Sequence, residues 1–256
     1  MLSEYLYIYC NTRFLLFTLQ HQPLLSTMHK NYIFSTCLLI SLFFLSSAFI
    51  SNSSSILGGG EEKFIPTTEV APKLLSDKCS RNRSSDASIT HVMLHFCSNA
   101  AQKPENPYIL KDILNVFETY KVSAHYIIDR EGVIHHLVNE NRAAHHAGKG
   151  TLSHEAHRHN DLNGRSIGIE MMAIGTQTEM SKFISSSTYS KINKKHVGFT
   201  EAQYKSLNRL LKDIENRHTD IKHNRKHIVG HDEYAPSRRS DPGRLFDWKK
   251  IGLTAN

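Results

Sequence analysis

Five short strand-like segments, interleaved with two segments of helical spacing, restrict this chain to a sheet covered by helices. The first, "ITHVMLHF" from Ile89 to Phe96, places His91, Met93 and His95 on one face of a strand. "VSAHYIID" and "GVIHHLV" read as two strands joined by the turn Asp129-Arg130-Glu131-Gly132. "RSIGIEMMA" sends Ile167, Ile169 and Met171 one way and Gly168, Glu170 and Met172 the other. "KHIVGH" is a last short strand. One helix is expected to open at Asn106-Pro107, with Ile109, Leu110, Ile113, Leu114 and Phe117 as its apolar stripe. A second opens with a capping box (Thr200, Gln203) and a staple (Phe199, Tyr204), and its stripe is Tyr204, Leu207, Leu210, Leu211 and Ile214. Residues 175–198 are Ser- and Lys-rich and read as a long surface loop, and Leu245 to Ile251 as a short closing helix. The expected fold class is α/β, a single mixed central β-sheet flanked by helices, without internal repeats.

The N-terminal residues point to export. Tyr32 to Leu45, "YIFSTCLLISLFFL", is apolar and uncharged, preceded by Met28, His29 and Lys30 and followed by the small residues Ser46, Ser47 and Ala48. That is the pattern of a signal peptide over 28–48, with cleavage after Ala48 and a start at Met28; residues 1–27 are then a doubtful upstream extension. The run is shorter than the ~20 residues of a membrane span, although an uncleaved anchor is the other reading. The expected destination is the periplasm, the cell envelope or the outside, with membrane contact only through this segment. Residues 49–72 are expected to be a flexible linker, and 73–256 the globular domain, in monomeric form. Export leaves Cys79 and Cys97. An oxidising compartment permits a disulfide between them; two separate buried thiols are the alternative.

The 256 residues, 39% hydrophobic, suffice for one well-packed domain, and the net charge of +7 favours a polyanionic partner. No RNA-binding aromatic signature and no zinc-finger spacing is present, which argues against nucleic acid.

Seventeen histidines raise the question of metal. His95 and His231 each lie at a strand end, and Asp241 follows ten residues after His231 in a loop closed by Pro242-Gly243. Imidazoles and a carboxylate suit zinc, which takes about three protein ligands in a catalytic site. Spacing alone, however, favours the plainer reading of surface and core histidines.

Five segments in order change that balance: "VMLHFCS", "VSAHYIIDREGVIHHLV", "RAAHHAG", "LNGRSIGIE" and "HIVGHDEYAPSRRSDPGRLFDW". Together they resemble the zinc-dependent N-acetylmuramoyl-L-alanine amidases, the type 2 amidases with the peptidoglycan-recognition-protein fold, and among them the bacterial branch that cuts muropeptides, 1,6-anhydro forms included. The resemblance implies one Zn2+ held by His95, His231 and Asp241, with Glu170 as catalytic base. It implies hydrolysis of the amide between the muramyl lactyl group and L-Ala, on peptidoglycan or muropeptide substrates. A non-catalytic peptidoglycan-binding module with a structural zinc is the alternative. Such modules commonly lack the third ligand, and here Asp241 is present.

Three departures from the family pattern stand out. Arg239 occupies the place of a Lys that stabilises the oxyanion; it keeps the charge but does not readily give up a proton. His145 replaces a wall-forming Trp, while His146 keeps the family position lining the cleft. Asp161 stands two residues before Asn163, where relatives that prefer diaminopimelate often carry an Arg; Arg158 or Arg165 are the candidates to supply that charge. His154, His157 and His159 read as a solvated loop, and His125, His135 and His136 as structural strand residues.

Overall fold

The computed structural model describes residues 71–72 and 74–254, all within one compact unit of the chain. The expected signal segment and nearly all of the expected linker lie outside the described residues. In chain order the strands are β1 (Ala71–Pro72), β2 (Ser80–Asn82), β3 (His91–Cys97), β4 (Tyr126–Ile128), β5 (Ile134–His136), β6 (Arg142–Ala144), β7 (Ser166–Met172) and β8 (Ile228–Gly230). The α-helices are α1 (Leu110–Tyr120), α2 (Leu162–Arg165), α3 (Gln177–Met180), α4 (Ser186–Tyr189), α5 (Glu201–Arg217) and α6 (His231–Tyr234).

Six strands form one sheet in the order β1-β5-β4-β7-β3-β8. The central pairs β4–β7, β7–β3 and β3–β8 are parallel and β4–β5 is antiparallel, so the sheet is mixed, as expected. Beside it lies a two-stranded antiparallel sheet of β2 and β6, which the alternation pattern did not announce. Ala71 and Pro72, expected to end a linker, pair in parallel with His135 and His136.

The two faces of the sheet divide the work. Ile167, Ile169 and Met171 share one face with Val92 and Leu94, and α5 covers it with Tyr204, Leu207, Leu210, Leu211 and Ile214. Burial of each such side chain is worth roughly 1.5–3 kcal/mol. The capping box of α5 forms as expected, and Gln203 also donates from Nε2 to the carbonyls of Ile128 and Met172, at 3.2 and 3.0 Å. That pair of bonds fixes the helix start to the ends of β4 and β7. On the opposite face α1 packs Ile113, Leu114 and Phe117 against Ile127, Cys97 and Met172. Met93, Val229, Leu162 and Tyr234 form a neighbouring apolar patch.

Several expectations are corrected. α1 starts at Leu110, not at Asn106-Pro107, and Ile109 at its N-cap makes no side-chain capping bond. The segment 175–198 is no structureless loop: it carries α3, α4 and a short 3-10 turn at Lys194–His196. Thr176 and Glu179 cap α3 reciprocally, and Met180, Ile184 and Ile192 bury against Phe96 and Ile174. The partly buried Phe183, Tyr189 and Val197 pack against the same cluster and help dock the segment. The closing helix is a 3-10 turn, Trp248–Ile251. The possible disulfide is not formed: Cys79 and Cys97 are both buried free thiols. Cys79 faces the Phe117 carbonyl and the Glu118 carboxylate, whereas Cys97 ends β3 within the packing under α1. Among the described residues no helix is long and apolar enough to cross a membrane.

Candidate metal centre and cleft

The site is built where three adjacent parallel strands end. His95 is the fifth residue of β3, and its Cα partner across the ladder is Glu170, the fifth residue of β7. Paired positions in neighbouring strands point to the same face, so imidazole and carboxylate emerge side by side. β8 ends at Gly230, and His231 is the first residue of α6 rather than the last of a strand. The loop beyond α6 then folds back: the amide of Asp232 donates to the carbonyl of Asp241 at 2.8 Å. This closure carries Asp241 beside His231. Ligands at the carboxyl ends of parallel strands follow the general rule for α/β sheets.

His95, His231 and Asp241 are 2%, 2% and 0% exposed, and one ligand atom from each lies within 4.8 Å of the others. Asp241 Oδ2 is 2.8 Å from His95 Nδ1 and 3.2 Å from His231 Nδ1. The distal nitrogens reveal which atoms carry protons. His231 Nε2 donates to the Ala147 carbonyl at 2.9 Å, so the neutral ring has its lone pair on Nδ1. Burial, and then the neighbouring cations Arg239 and Arg238, hold this imidazole well below its usual pKa; burial and then His231 do the same for His95. The His231 lone pair, His95 Nδ1 and a carboxyl oxygen therefore converge, while Asp241 Oδ1 is buried without a hydrogen-bond partner. Burial pushes the Asp241 carboxyl well above the usual range. A single carboxyl proton can serve only one of the two nitrogens. A divalent cation taking two imidazoles and a carboxylate would satisfy the whole set, so these residues fit zinc by donor chemistry.

Glu170 and Arg239 line the same cavity, of about 390 Å3, together with the metal-type residues and His145, His146 and Asn163. Burial raises the Glu170 carboxyl to about 8, opposed by a hydrogen bond from the Cys97 thiol and by the charge of Arg239. Glu170 Oε2 is buried and makes no hydrogen bond. Arg239 is 9% exposed, and burial, then repulsion from Arg238, lowers its guanidinium to about 9. Arg238 itself is bound into the scaffold, donating to the carbonyls of Ala147 (2.7 Å) and Lys149. Both arginines line the cavity, and Arg238 is in addition tied to the neighbouring loop through its guanidinium.

The remaining expected site residues fall in different places. His145 lines the cavity with Nδ1 donating to the Lys121 carbonyl at 3.1 Å. Asn163 spends its Oδ1 on the amides of His146 and Ala147, at 2.9 and 2.7 Å. His146 leans on His95, with Nδ1 3.0 Å from His95 Nε2. Arg165 is corrected: it is 5% exposed and does not line the cavity. Its guanidinium is taken by Glu155 and Asp161, and Arg158 is likewise bonded to Asp161. Arg165 is thus engaged away from the cavity, and Arg158, half exposed, does not line it. His125 is buried, accepting from the Gly168 amide at 2.9 Å, in keeping with a structural role. Gly168 and Cys97 were missed. A Cβ on Gly168 would stand 2.6 Å from His146 Cγ, so only glycine admits that ring.

A second group, His91, His154 and Glu155, also brings ligand atoms within 4.8 Å of one another. It fails the donor test that the first group passes. Arg165 Nη1 donates to His91 Nδ1 at 2.9 Å, so the proton of the neutral ring resides on Nε2. Glu155 already pairs with the same guanidinium. A cation there would meet a protonated nitrogen, a spent carboxylate and a fixed positive charge. Burial and Arg165 lower His91 to about 4. His157 and His159 are exposed, as expected for a solvated loop.

The family model of N-acetylmuramoyl-L-alanine amidase (Amidase_2) matches residues 85–244. The chain is 35% identical over 130 residues to the 1,6-anhydro-N-acetylmuramyl-L-alanine amidase AmpD of Haemophilus influenzae, covering 51% of this chain and 56% of that protein. It is 31% identical over 138 residues to the N-acetylmuramoyl-L-alanine amidase AmiD of Escherichia coli, covering 51% of this chain and 44% of that one. The chain thus spans about half the length of the curated relatives it matches. A crystal structure of a selenomethionine AmpD derivative superposes with a TM-score of 0.49 at 22% identity, covering 71% of this chain and 92% of that chain. The matched span runs from just before β3 to just beyond Asp241 and takes in every residue of the converging site, and on that match the chain belongs to the N-acetylmuramoyl-L-alanine amidase family.

Proposed function

We propose that this chain is a zinc-dependent amidase. It hydrolyses the amide between the lactyl group of N-acetylmuramoyl, or 1,6-anhydro-N-acetylmuramoyl, and the L-Ala of a peptidoglycan stem peptide. The observation that carries the reading is the convergence of two imidazole nitrogens and a buried carboxyl group beside Glu170, whose Oε2 makes no hydrogen bond, on the wall of one cavity. Zinc, when held by His95, His231 and Asp241, supplies polarisation of the scissile carbonyl and acidification of water toward a pKa of about 7.

The chain's own residues supply the proton transfers. Glu170, on the cavity wall beside His95, is the carboxylate placed to take a proton from attacking water. The water oxygen bonds to the carbonyl carbon, and the carbonyl oxygen becomes an oxyanion. Arg239, a cation on the cavity wall, donates N–H groups to that charge. The leaving amine takes its proton from Glu170, which received it from the water. The C–N bond then breaks, giving a free stem peptide and a muramic carboxylate. Phe117, Tyr120 and Val122 give the cavity an apolar side.

The names of the relatives, a 1,6-anhydro-N-acetylmuramyl-L-alanine amidase and an N-acetylmuramoyl-L-alanine amidase, support the substrate class. Action as a monomer is part of the proposal. Export to the periplasm, envelope or exterior rests on the apolar run Tyr32–Leu45 and the small residues after it. Sequencing the N-terminus of secreted protein tests it, with Phe49 expected first.

Mass spectrometry of muropeptide digests, with and without a chelator, tests the activity. Free stem peptide beginning with L-Ala is expected with zinc and is lost on chelation. Wall binding without any release of peptide would leave the non-catalytic module as the correct reading.

A further inference from the structure

His146 lines the cavity as an apparent contact for substrate, yet its bonds run inward. Its backbone amide and that of Ala147 are both anchored on Asn163 Oδ1. Its ring stands edge-on to His95, with centroids 5.2 Å apart, in space left by the missing side chain of Gly168. Four polar groups are then linked in series. The Ser166 hydroxyl donates to the Leu162 carbonyl. A hydroxyl has one proton, so toward His146 Nε2, at 3.2 Å, Ser166 Oγ is an acceptor. His146 Nε2 therefore bears the ring proton, and His146 Nδ1 is a lone pair. His95 Nε2, 3.0 Å away, must donate to it. The lone pair of His95 is consequently on Nδ1, the atom that faces Asp241 Oδ2.

We infer that His146 is a positioning residue: through the series Leu162–Ser166–His146 it holds His95 in the tautomer and orientation that presents Nδ1 to the metal. The inference rests on the zinc reading above. It differs from a substrate-wall role because everything it predicts is visible without substrate. Hydrogen-bond partners of this kind on the far nitrogen of a ligating imidazole typically change metal affinity about 10- to 100-fold.

Purified full-length chain and three variants are titrated with Zn2+ against a chromophoric chelator, and the absorption spectrum of the Co2+-loaded forms is recorded. His146→Ala is expected to weaken zinc binding about 10- to 100-fold and to shift the cobalt spectrum. His146→Asn, whose Oδ1 can accept where Nδ1 did, should recover most of the affinity. Ser166→Ala should weaken binding in the same direction by less. At saturating zinc, KM for a muropeptide should stay near the wild-type value. Unchanged zinc affinity in His146→Ala with a raised KM would overturn the inference and leave His146 as a wall of the cleft. Should His146→Ala not fold, equal zinc affinity in wild type, His146→Asn and Ser166→Ala with an unmoved cobalt spectrum for Ser166→Ala would overturn it too. A wild-type chain that binds no zinc overturns the metal reading itself, and this inference with it.

Discussion

His91 and His95 share one strand and one face, and each stands in a cluster with a second histidine and a carboxylate, yet only one cluster is suited to hold a cation. The residue types do not distinguish them. What differs is the partner on the nitrogen that would not bind metal. His231 Nε2 donates to a carbonyl and His95 Nε2 to another imidazole, which leaves both Nδ1 atoms as lone pairs. His91 Nδ1 instead receives an N–H from Arg165, which places the ring proton on the nitrogen facing Glu155. A guanidinium never supplies a lone pair, so it turns a ligand-shaped cluster into a structural one. Metal sites are decided one shell out from the ligands.

The largest effect should follow Asp241→Ala. It removes the carboxylate on which both imidazoles converge, and both stoichiometric zinc and turnover should disappear. Glu170→Gln is expected to keep zinc and lower kcat by about 10²–10⁴-fold, the usual range for a positioned general base; unchanged turnover would remove Glu170 from the mechanism. Arg239→Ala should keep zinc and lower kcat about 10²–10³-fold, as loss of an oxyanion donor does. A rise in KM at constant kcat would instead make Arg239 a binding residue. His154→Ala should be the quietest of the four, with zinc content and kcat within about twofold of wild type because its cluster takes no metal. Loss of a zinc ion in that variant would erase the distinction between the clusters.

The parts of the molecule legible in the sequence are those set by local rules. β7 was readable to its faces because Ile167, Ile169 and Met171 alternate strictly with Gly168, Glu170 and Met172. The start of α5 was readable because Thr200 and Gln203 stand at capping-box spacing. His95, His231, Asp241 and Glu170 were assigned together through family spacing, not through periodicity, and the ladder that puts His95 opposite Glu170 is non-local. Non-local partners also explain the misreadings. Arg165 was a candidate for substrate because nothing in the sequence says that Glu155 folds onto it. Cys79 and Cys97 allowed a bond by count alone, whereas their neighbours place them in different packing. α3 and α4 were hidden because only Met180, Ile184 and Ile192 bury within a serine-rich stretch. Gly168 gave no signal, since the ring that needs its space belongs to a distant loop.

The account stands most directly on how many zinc ions the chain binds and where. Metal analysis of zinc-equilibrated, dialysed protein should find one zinc per chain in the wild type, one in His154→Ala and none in Asp241→Ala. Two zinc ions in the wild type, or one retained in Asp241→Ala, would contradict it.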